Sequence, residues 1–527
     1  MSAARLVPRY AALAAACALA SGCSLLHPVG PDYHAPAATS ATLDAARDKA
    51  FSPQSPPGPW WQLYGDPVLD GYVAEALREN RDLRAAATRI EATQSILDQA
   101  KAAQLPQTNV DLNGGRQRNW IYGSPVLLVF NAINASIGAS YELDLFGRVR
   151  RSIESASASV EEQQFAFAAT QIRVAASTVG YYVGACQANA AIAAAKRTVQ
   201  VDQDMLDATQ RLARHGATSE LDVTRTQALL ESNRAQLPAL EAQRTAALYA
   251  LAVMLGRQPD KYPPEAAQCQ APPTLAQPLP VGDGLALLRR RPDIAQAERA
   301  LATATANIGV ATADLYPDIS LGASFGFSGS NLSNTFSTTG RTWTLGPVIN
   351  WTFPNVAVAK AKIRAAGASA DLAKTQYDNT VLNALKETGT ALDSYARQLD
   401  RHAQLRQARD LSRKAFDQAT QLHRHGAVPY LDVLTALKSL AQAEQQFVNA
   451  SGEVAADQVA VFYALGGGWD GAAQRAADLA KAAAESRHDG APADGADGAD
   501  GADGAAGSDS AGTASAAARA RQPPEAH

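Results

Sequence analysis

The sequence predicts a duplicated protein of mixed class, in which amphipathic β-strand pairs of a membrane barrel alternate with long α-helical hairpins that pack as a coiled-coil barrel. Three observations predict it. Short segments alternate apolar and polar residues at a period of two, residues 151–213 and 357–424 read as proline-free helix throughout, and a set of landmarks recurs once along the chain. In the first strand pair, Ile137, Ala139, Tyr141, Leu143 and Leu145 alternate with Ser136, Gly138, Ser140, Glu142 and Asp144. In the second, Ile319, Leu321, Ala323, Phe325 and Phe327 alternate with Asp318, Ser320, Gly322, Ser324 and Gly326, and Trp343 to Phe353 does likewise. Such a strand has one apolar and one wetted face, as in a barrel with lipid outside and water inside. A soluble sandwich would show the same alternation, so the membrane assignment rests also on the N-terminus.

There, Arg5 and Arg9 precede an apolar run from Tyr10 to Ala20, too short to remain as a membrane span, which is an export signal over residues 1–22. Leu19, Ala20, Ser21 and Gly22 lead to Cys23, a pattern that resembles a bacterial lipobox. An acylated Cys23 would bury its chains in one leaflet at about 0.8 kcal/mol per methylene. The following Ser24 fits sorting to the outer membrane. No later stretch holds the roughly 18 consecutive apolar residues of a transmembrane helix, so any crossing must be made by strands. The 47 basic and 51 acidic side chains leave a formal charge of −4, and nucleic acid is not expected as a partner.

The recurring landmarks define two copies. Arg214, His215, Gly216 and Ala217 lead to Leu221, Asp222 and Val223, and the same order returns at Arg424, His425, Gly426, Ala427, Leu431, Asp432 and Val433. Pro106 corresponds to Pro317 and Phe146 to Phe353, so the repeat is about 210 residues. Repeat one spans 68–282 and repeat two 283–469, after an extended segment over 23–67. Each begins with a helix, near 68–104 and 283–314. Each continues with a strand pair, about 107–147 and 317–354, whose strands are joined by polar or irregular segments near 114–134 and 328–341. Trp120, Tyr122, Tyr141, Trp343 and Trp351 are candidates for the bilayer interfaces. The long helices follow, about 95 to 100 Å each at the helical rise. Val381, Leu385, Thr388, Leu392, Tyr395, Leu399 and His402 step by four and three, a coiled-coil seam. Each helix reverses at a tip, 214–222 or 424–432, and returns over about 219–256 or 430–465.

Several motifs carry a specific likeness: Val29, Gly30, Pro31, Asp32 and Tyr33 after Cys23; Trp60 and Trp61 with Gly65, Asp66 and Pro67; Tyr141 to Arg148; Arg290 to Ile294; and the two tips. On these the chain resembles TolC-like outer-membrane efflux proteins, in the lipoprotein branch that serves resistance-nodulation-division pumps, over about residues 23–469. The resemblance implies four transmembrane strands per chain, a single twelve-strand barrel completed by a homotrimer, and a tapering periplasmic tunnel of helices. It implies a passive exit duct for drugs or other small toxic solutes, working with a periplasmic membrane-fusion adaptor and an inner-membrane pump. No catalysis is expected, and no cofactor beyond the lipid on Cys23.

By the same resemblance Asp432 matches a position where aspartates ring the closed aperture, and like charges there repel one another and attract cations; Asp222, just after the first turn, is the second candidate for that gate. The alternative role for both is helix capping. The tips are the expected adaptor contacts, through Arg214, Gly216, Glu220, Arg424, Gly426 and Tyr430. His423 and His425 lack the carboxylate or cysteine company of a metal site, and none is expected. Helical rise puts Cys186 about 42 Å and the loop bearing Cys269 about 55 Å from the first tip. In an oxidising compartment they are a candidate disulfide, with two buried thiols as the alternative. Residues 470–527, with repeated Ala-Asp-Gly triplets, have the composition of a disordered tail. Two other functions remain open on sequence: an outer-membrane duct for type I protein secretion, and a structural lipoprotein without a pore.

Overall fold

The structure, a computed structural model, describes residues 28–36, 44–120, 127–275, 278–282, 290–351, 353, 356–469, 475, 476 and 478. All lie in the compact unit Met1–Ala483. The export signal, Cys23 and most of the 470–527 tail fall outside the described residues.

The chain enters along a two-residue strand, β1 (Phe51–Ser52), and a 3-10 turn over Trp60–Tyr64. Two helices follow, α1 (Pro67–Glu79) and α2 (Arg81–Ala102), where the sequence suggested one. Asp66 starts α1 by accepting from the Val68 and Leu69 amides, and Pro67 sits where no amide donor is required. Asn80 divides the pair. Its backbone is extended, its side chain accepts from the Asp82 and Leu83 amides, and its Nδ2 donates to the Met254 carbonyl at 3.0 Å.

Strands β2 (Gln107–Trp120) and β3 (Leu127–Glu142) pair antiparallel without interruption from Gln107 opposite Ser140 to Trp120 opposite Leu127. The expected irregular joint at 114–134 is therefore mostly strand. Asn113, Gly114 and Gly115 have turn composition, yet Asn134, Ile133 and Ala132 continue the ladder opposite them. Helix α3 (Arg148–Arg214) runs for 67 residues, and Asp144 receives its first amides, Val149 and Arg150, at 3.0 Å each.

The first return is broken into α4 (Glu220–Arg234) and α5 (Gln236–Met254). Pro238 has no amide to bond the Arg234 carbonyl, which ends the α4 ladder one residue before Ala235. The short α6 (Pro264–Gln268) leads to β4 (Leu279–Pro280), which pairs parallel with β1. In repeat two Arg290 is helical, Arg291 interrupts the helix and α7 (Pro292–Ala313) follows; residues 283–289, where the helix was expected to start, lie outside the described set. Strand β5 (Asp318–Gly329), the one-turn α8 (Leu332–Thr335) and β6 (Arg341–Asn350) follow. The main sheet has the order β2-β3-β5-β6, all antiparallel, so β2 and β6 are its edges.

Helix α9 (Val356–Arg424) has 69 residues and α10 (Tyr430–Ala464) has 35. Along the seam of α9, Val381, Thr388, Leu392 and Tyr395 are buried, while Leu385, Leu399 and His402 are half-buried. The largest apolar cluster lies where the two repeats meet. Trp60 is fully buried and stacks on Phe462 at 4.7 Å, and Gly467 and Gly468 leave the space its ring occupies. Among the described residues past 470, Arg475 donates to Gln171 at 3.0 Å and Ala476 is buried, so packed residues occur inside the stretch expected to be tail.

Candidate channel wall, anchor segment and hairpin tips

Register sorts the four-stranded sheet into two faces. On one lie Val110, Leu112, Ile137, Leu321, Phe325 and Leu345, with their strand neighbours two apart. The other carries Asn109, Asp111, Asn113, Asn134, Ser324 and Thr344 in the same rows. The apolar side chains are bare: Val110 is 77% exposed, Leu112 76% and Trp343 74%. The polar face is cross-linked, with Asn134 donating to Asn113 at 2.9 Å, Ser328 to Asn134 at 2.7 Å, and the Ser324 and Thr344 hydroxyls 2.8 Å apart. A sheet with water-compatible ladders on one face and uncovered apolar side chains on the other has the two faces that a wall between water and hydrocarbon requires. Tyr141, Trp343 and Trp351 are exposed along it. The Trp120 side chain and all of Tyr122 lie outside the description.

The Val29–Tyr33 segment is fastened beneath this wall. Arg151, on α3 and buried, donates to the Val29 carbonyl at 3.2 Å, the Gly30 carbonyl at 3.3 Å, Asp32 at 2.7 Å and Glu154 at 2.8 Å. Gly30 holds a φ of +91°, and a Cβ there would stand 2.5 Å from the Gly309 Cα. The Tyr33 hydroxyl donates to Glu298 at 2.9 Å, while Arg299 lies 5.3 Å over its ring. Burial and then that hydrogen bond push the Tyr33 phenol up. Sequence marked this segment but not its receptor, since one arginine in a long helix has no local signature.

At the tips, both turns use a left-handed glycine, Gly216 at φ +71° and Gly426 at +70°, and the Ala217 and Ala427 amides each return to a leucine carbonyl at 2.9 Å. Arg214, Glu220 and Arg424 are exposed and make no ion pair among the described residues. The two aspartates differ. The Asp222 carboxylate accepts from the Ser219 hydroxyl at 2.7 Å, the Thr218 hydroxyl at 2.9 Å and the Ser219 amide at 3.4 Å, and it pairs with Arg225 at 3.6 Å. With Ser219 as N-cap this is a reciprocal capping box. The Ser219 and then Thr218 hydrogen bonds hold Asp222 below the usual carboxylate value. Asp432 is exposed, and its carboxylate has no hydrogen bond or ion pair among the described residues. The structure does not bring the two carboxylates together within one chain.

Tyr430 is turned inward: its hydroxyl lies 2.5 Å from that of Thr209 on α3, and its ring is 5.4 Å from His423. It ties the second tip to the first hairpin, a role for Thr209 that sequence did not reveal. Higher up, Cys186 on α3 is joined to Cys269 by a disulfide with Cα atoms 4.9 Å apart. Asn189 donates to the Ala267 and Cys269 carbonyls beside it, at 3.1 and 2.9 Å. Asp202, fully buried on α3, accepts from Asn233 at 2.7 Å through one oxygen and has no hydrogen-bond partner for the other.

The family model described as "Outer membrane efflux protein" matches residues 72–257 and 286–467, two stretches in step with the duplication. The toluene efflux pump outer membrane protein TtgF of Pseudomonas putida is 30% identical over 482 residues, covering 88% of this chain and 97% of that protein. The antibiotic efflux pump outer membrane protein ArpC of Pseudomonas putida is 30% identical over 479 residues, covering 87% of this chain and 95% of that protein. Among solved structures, the outer-membrane channel OprN superposes with a TM-score of 0.80 at 32% identity, covering 84% of this chain and 99% of that one.

Proposed function

The chain belongs to the outer membrane efflux protein family, and from that premise we propose how it works as the outer-membrane channel of a tripartite efflux pump. Three copies close one twelve-strand barrel, and their helices line a periplasmic tunnel open to it. The observation that carries this reading is the four-stranded sheet, bare and apolar on one face, with β2 and β6 at its edges and no further strand beside either among the described residues. Each edge presents unbonded backbone groups that hydrocarbon cannot satisfy, and pairing β6 of one copy with β2 of the next removes the cost. Exposed Leu372, Leu382 and Leu411 on α9 support further contact between copies.

Solute passes down a water-filled lumen without chemistry by the duct, while an inner-membrane pump supplies the work and an adaptor engages the tips. Arg214, Gly216, Glu220, Arg424 and Gly426 are presented for that engagement, and Asp432 supplies the charge at the aperture. The names of relatives that export toluene and antibiotics support small organic toxicants as the cargo. Cys23 carries the lipid that holds the protein in the outer membrane beside its own barrel, and the segment fastened by Arg151 follows that anchor.

The test is reconstitution. The full-length protein, purified in detergent, is expected to have the mass of three chains and to produce discrete conductance steps in a planar bilayer. Deleting its gene should sensitise cells to organic toxicants. A folded oligomer that never conducts would refute the reading.

A further inference from the structure

The four strands contain three basic and three acidic residues, and the register sorts them completely. Asp111, Glu142 and Asp318 stand on the polar face. Arg116, Arg118 and Arg341 stand on the apolar face, where no carboxylate accompanies them. All three are exposed, and none makes an ion pair among the described residues. Their height on the sheet is equally selective. Arg116 and Arg118 stand on that face of β2 between Leu112 and the terminal Trp120, and Arg341 precedes the first large apolar residue of β6 there, Trp343. Both positions are at the end of the sheet remote from the long helices, and the helix-side end of the same face carries Tyr141, Ile319 and Ile349 instead.

We propose that these three arginines form a binding girdle for the phosphorylated headgroups of the glycolipid in the outer leaflet. The inference rests on the reading of this face as the lipid-facing wall. An arginine standing on the hydrocarbon side has no protein carboxylate to neutralise it, and at the outer rim the anion within reach is a lipid phosphate. Arginine suits that partner because its planar fork bonds two phosphate oxygens at once. Arg116 and Arg118, two residues apart on one face, are separated by about 7 Å along the strand, which lets both engage one headgroup. Closing the barrel between copies sets Arg341 on the strand beside that pair, so the girdle is densest at each junction. The site also gives the barrel a direction in the membrane, since only its outer rim is basic.

The experiment measures binding of bisphosphorylated lipid A, and of the same lipid stripped of its phosphates, to the full-length protein in detergent by native mass spectrometry. Wild type should prefer the phosphorylated lipid, and Arg116→Gln, Arg118→Gln and Arg341→Gln should each weaken that preference by about fivefold. A lysine set at the same positions, which keeps the charge and loses the fork, should fall between the two. The inference is overturned if the stripped lipid binds as tightly to wild type, if the glutamine variants retain the preference, or if inorganic phosphate alone displaces the lipid. Conductance of the same preparations separates the two claims. A conducting wild type without phosphate preference sinks only the girdle, and a protein that never conducts sinks the channel reading whatever lipid it binds.

Discussion

Replacing Asp222 and Asp432 by alanine, one at a time, should produce opposite pairs of effects although the two residues occupy equivalent places in the repeat. Asp222→Ala removes the acceptor for Ser219 and Thr218 and half of the capping box that starts α4. A cap of this kind is worth about 1 kcal/mol, and the ion pair to Arg225, at 3.6 Å between partly exposed groups, adds at most about 0.5 kcal/mol. Together they amount to roughly a tenfold increase in local opening of the first tip. Asp432→Ala breaks no side-chain contact and loses only the favourable placement of a charge in the first turn of α10, about 0.5 kcal/mol. Hydrogen exchange should therefore report faster exchange at Asp222 and Val223 in the first variant and little change around Asp432 in the second. Leak conductance of the closed channel should rise more in the second. The first effect has a pH signature. Because hydrogen bonding depresses the folded pKa of Asp222 below the ordinary 3.8, its contribution is fully present above that value and disappears as pH falls through the folded pKa. Equal exchange in the two variants, or a larger leak from Asp222→Ala, would refute the division of roles.

Asp202→Asn should raise the thermal midpoint at neutral pH, because burial raises the Asp202 pKa and an ionised carboxylate there has one oxygen unpaired. The gain should shrink as pH falls toward the carboxyl range, where the aspartate takes up a proton and is no longer penalised, and a gain independent of pH would count against this account. Non-reducing peptide mapping should recover Cys186 linked to Cys269, and Cys269→Ser should lower the thermal midpoint. In the chain-entropy view, closing the 83-residue separation is worth about 4.5 kcal/mol as an upper value. Gly30→Ala should free the anchor segment, since its φ of +91° and the 2.5 Å approach to Gly309 leave no room for a methyl group. Limited proteolysis between residues 28 and 36 would then accelerate without loss of the oligomer.

The strands were legible because each must present alternate residues to two unlike media, a constraint that writes period two directly into Ile319–Phe327. The long helices were legible by the lack of proline, and the tips by their recurrence. What escaped were interruptions whose cause is a single side chain. Asn80 followed by Asp82 and Leu83 is a helix-start signature hidden inside an otherwise helical stretch, and Pro238 marks the break at Ala235. Asn113, Gly114 and Gly115 misled in the other direction, because turn composition cannot reveal that a facing strand continues the ladder. The tie between Tyr430 and Thr209 and the receptor role of Arg151 join residues far apart in the chain, and periodicity carries no record of such pairings. Asp222 and Asp432 looked alike in the repeat, and their neighbours distinguish them: Thr218, Ser219 and Arg225 around the first, Val428, Pro429 and Thr435 at the corresponding places of the second.

The two unpaired edges of the sheet carry a consequence for how the protein comes into being. On the proposed closure of the barrel by three copies, a lone chain has no complete fold to reach in the bilayer, since among the described residues neither β2 nor β6 has a second strand beside it. Arrival at the native state is then a meeting among copies, and its yield follows the law of mass action rather than the stability of any one chain. Scarcity becomes a denaturant. A cell that makes too little of this protein would lose working ducts faster than it loses polypeptide, and a single copy with a damaged edge would disable the intact copies that it joins.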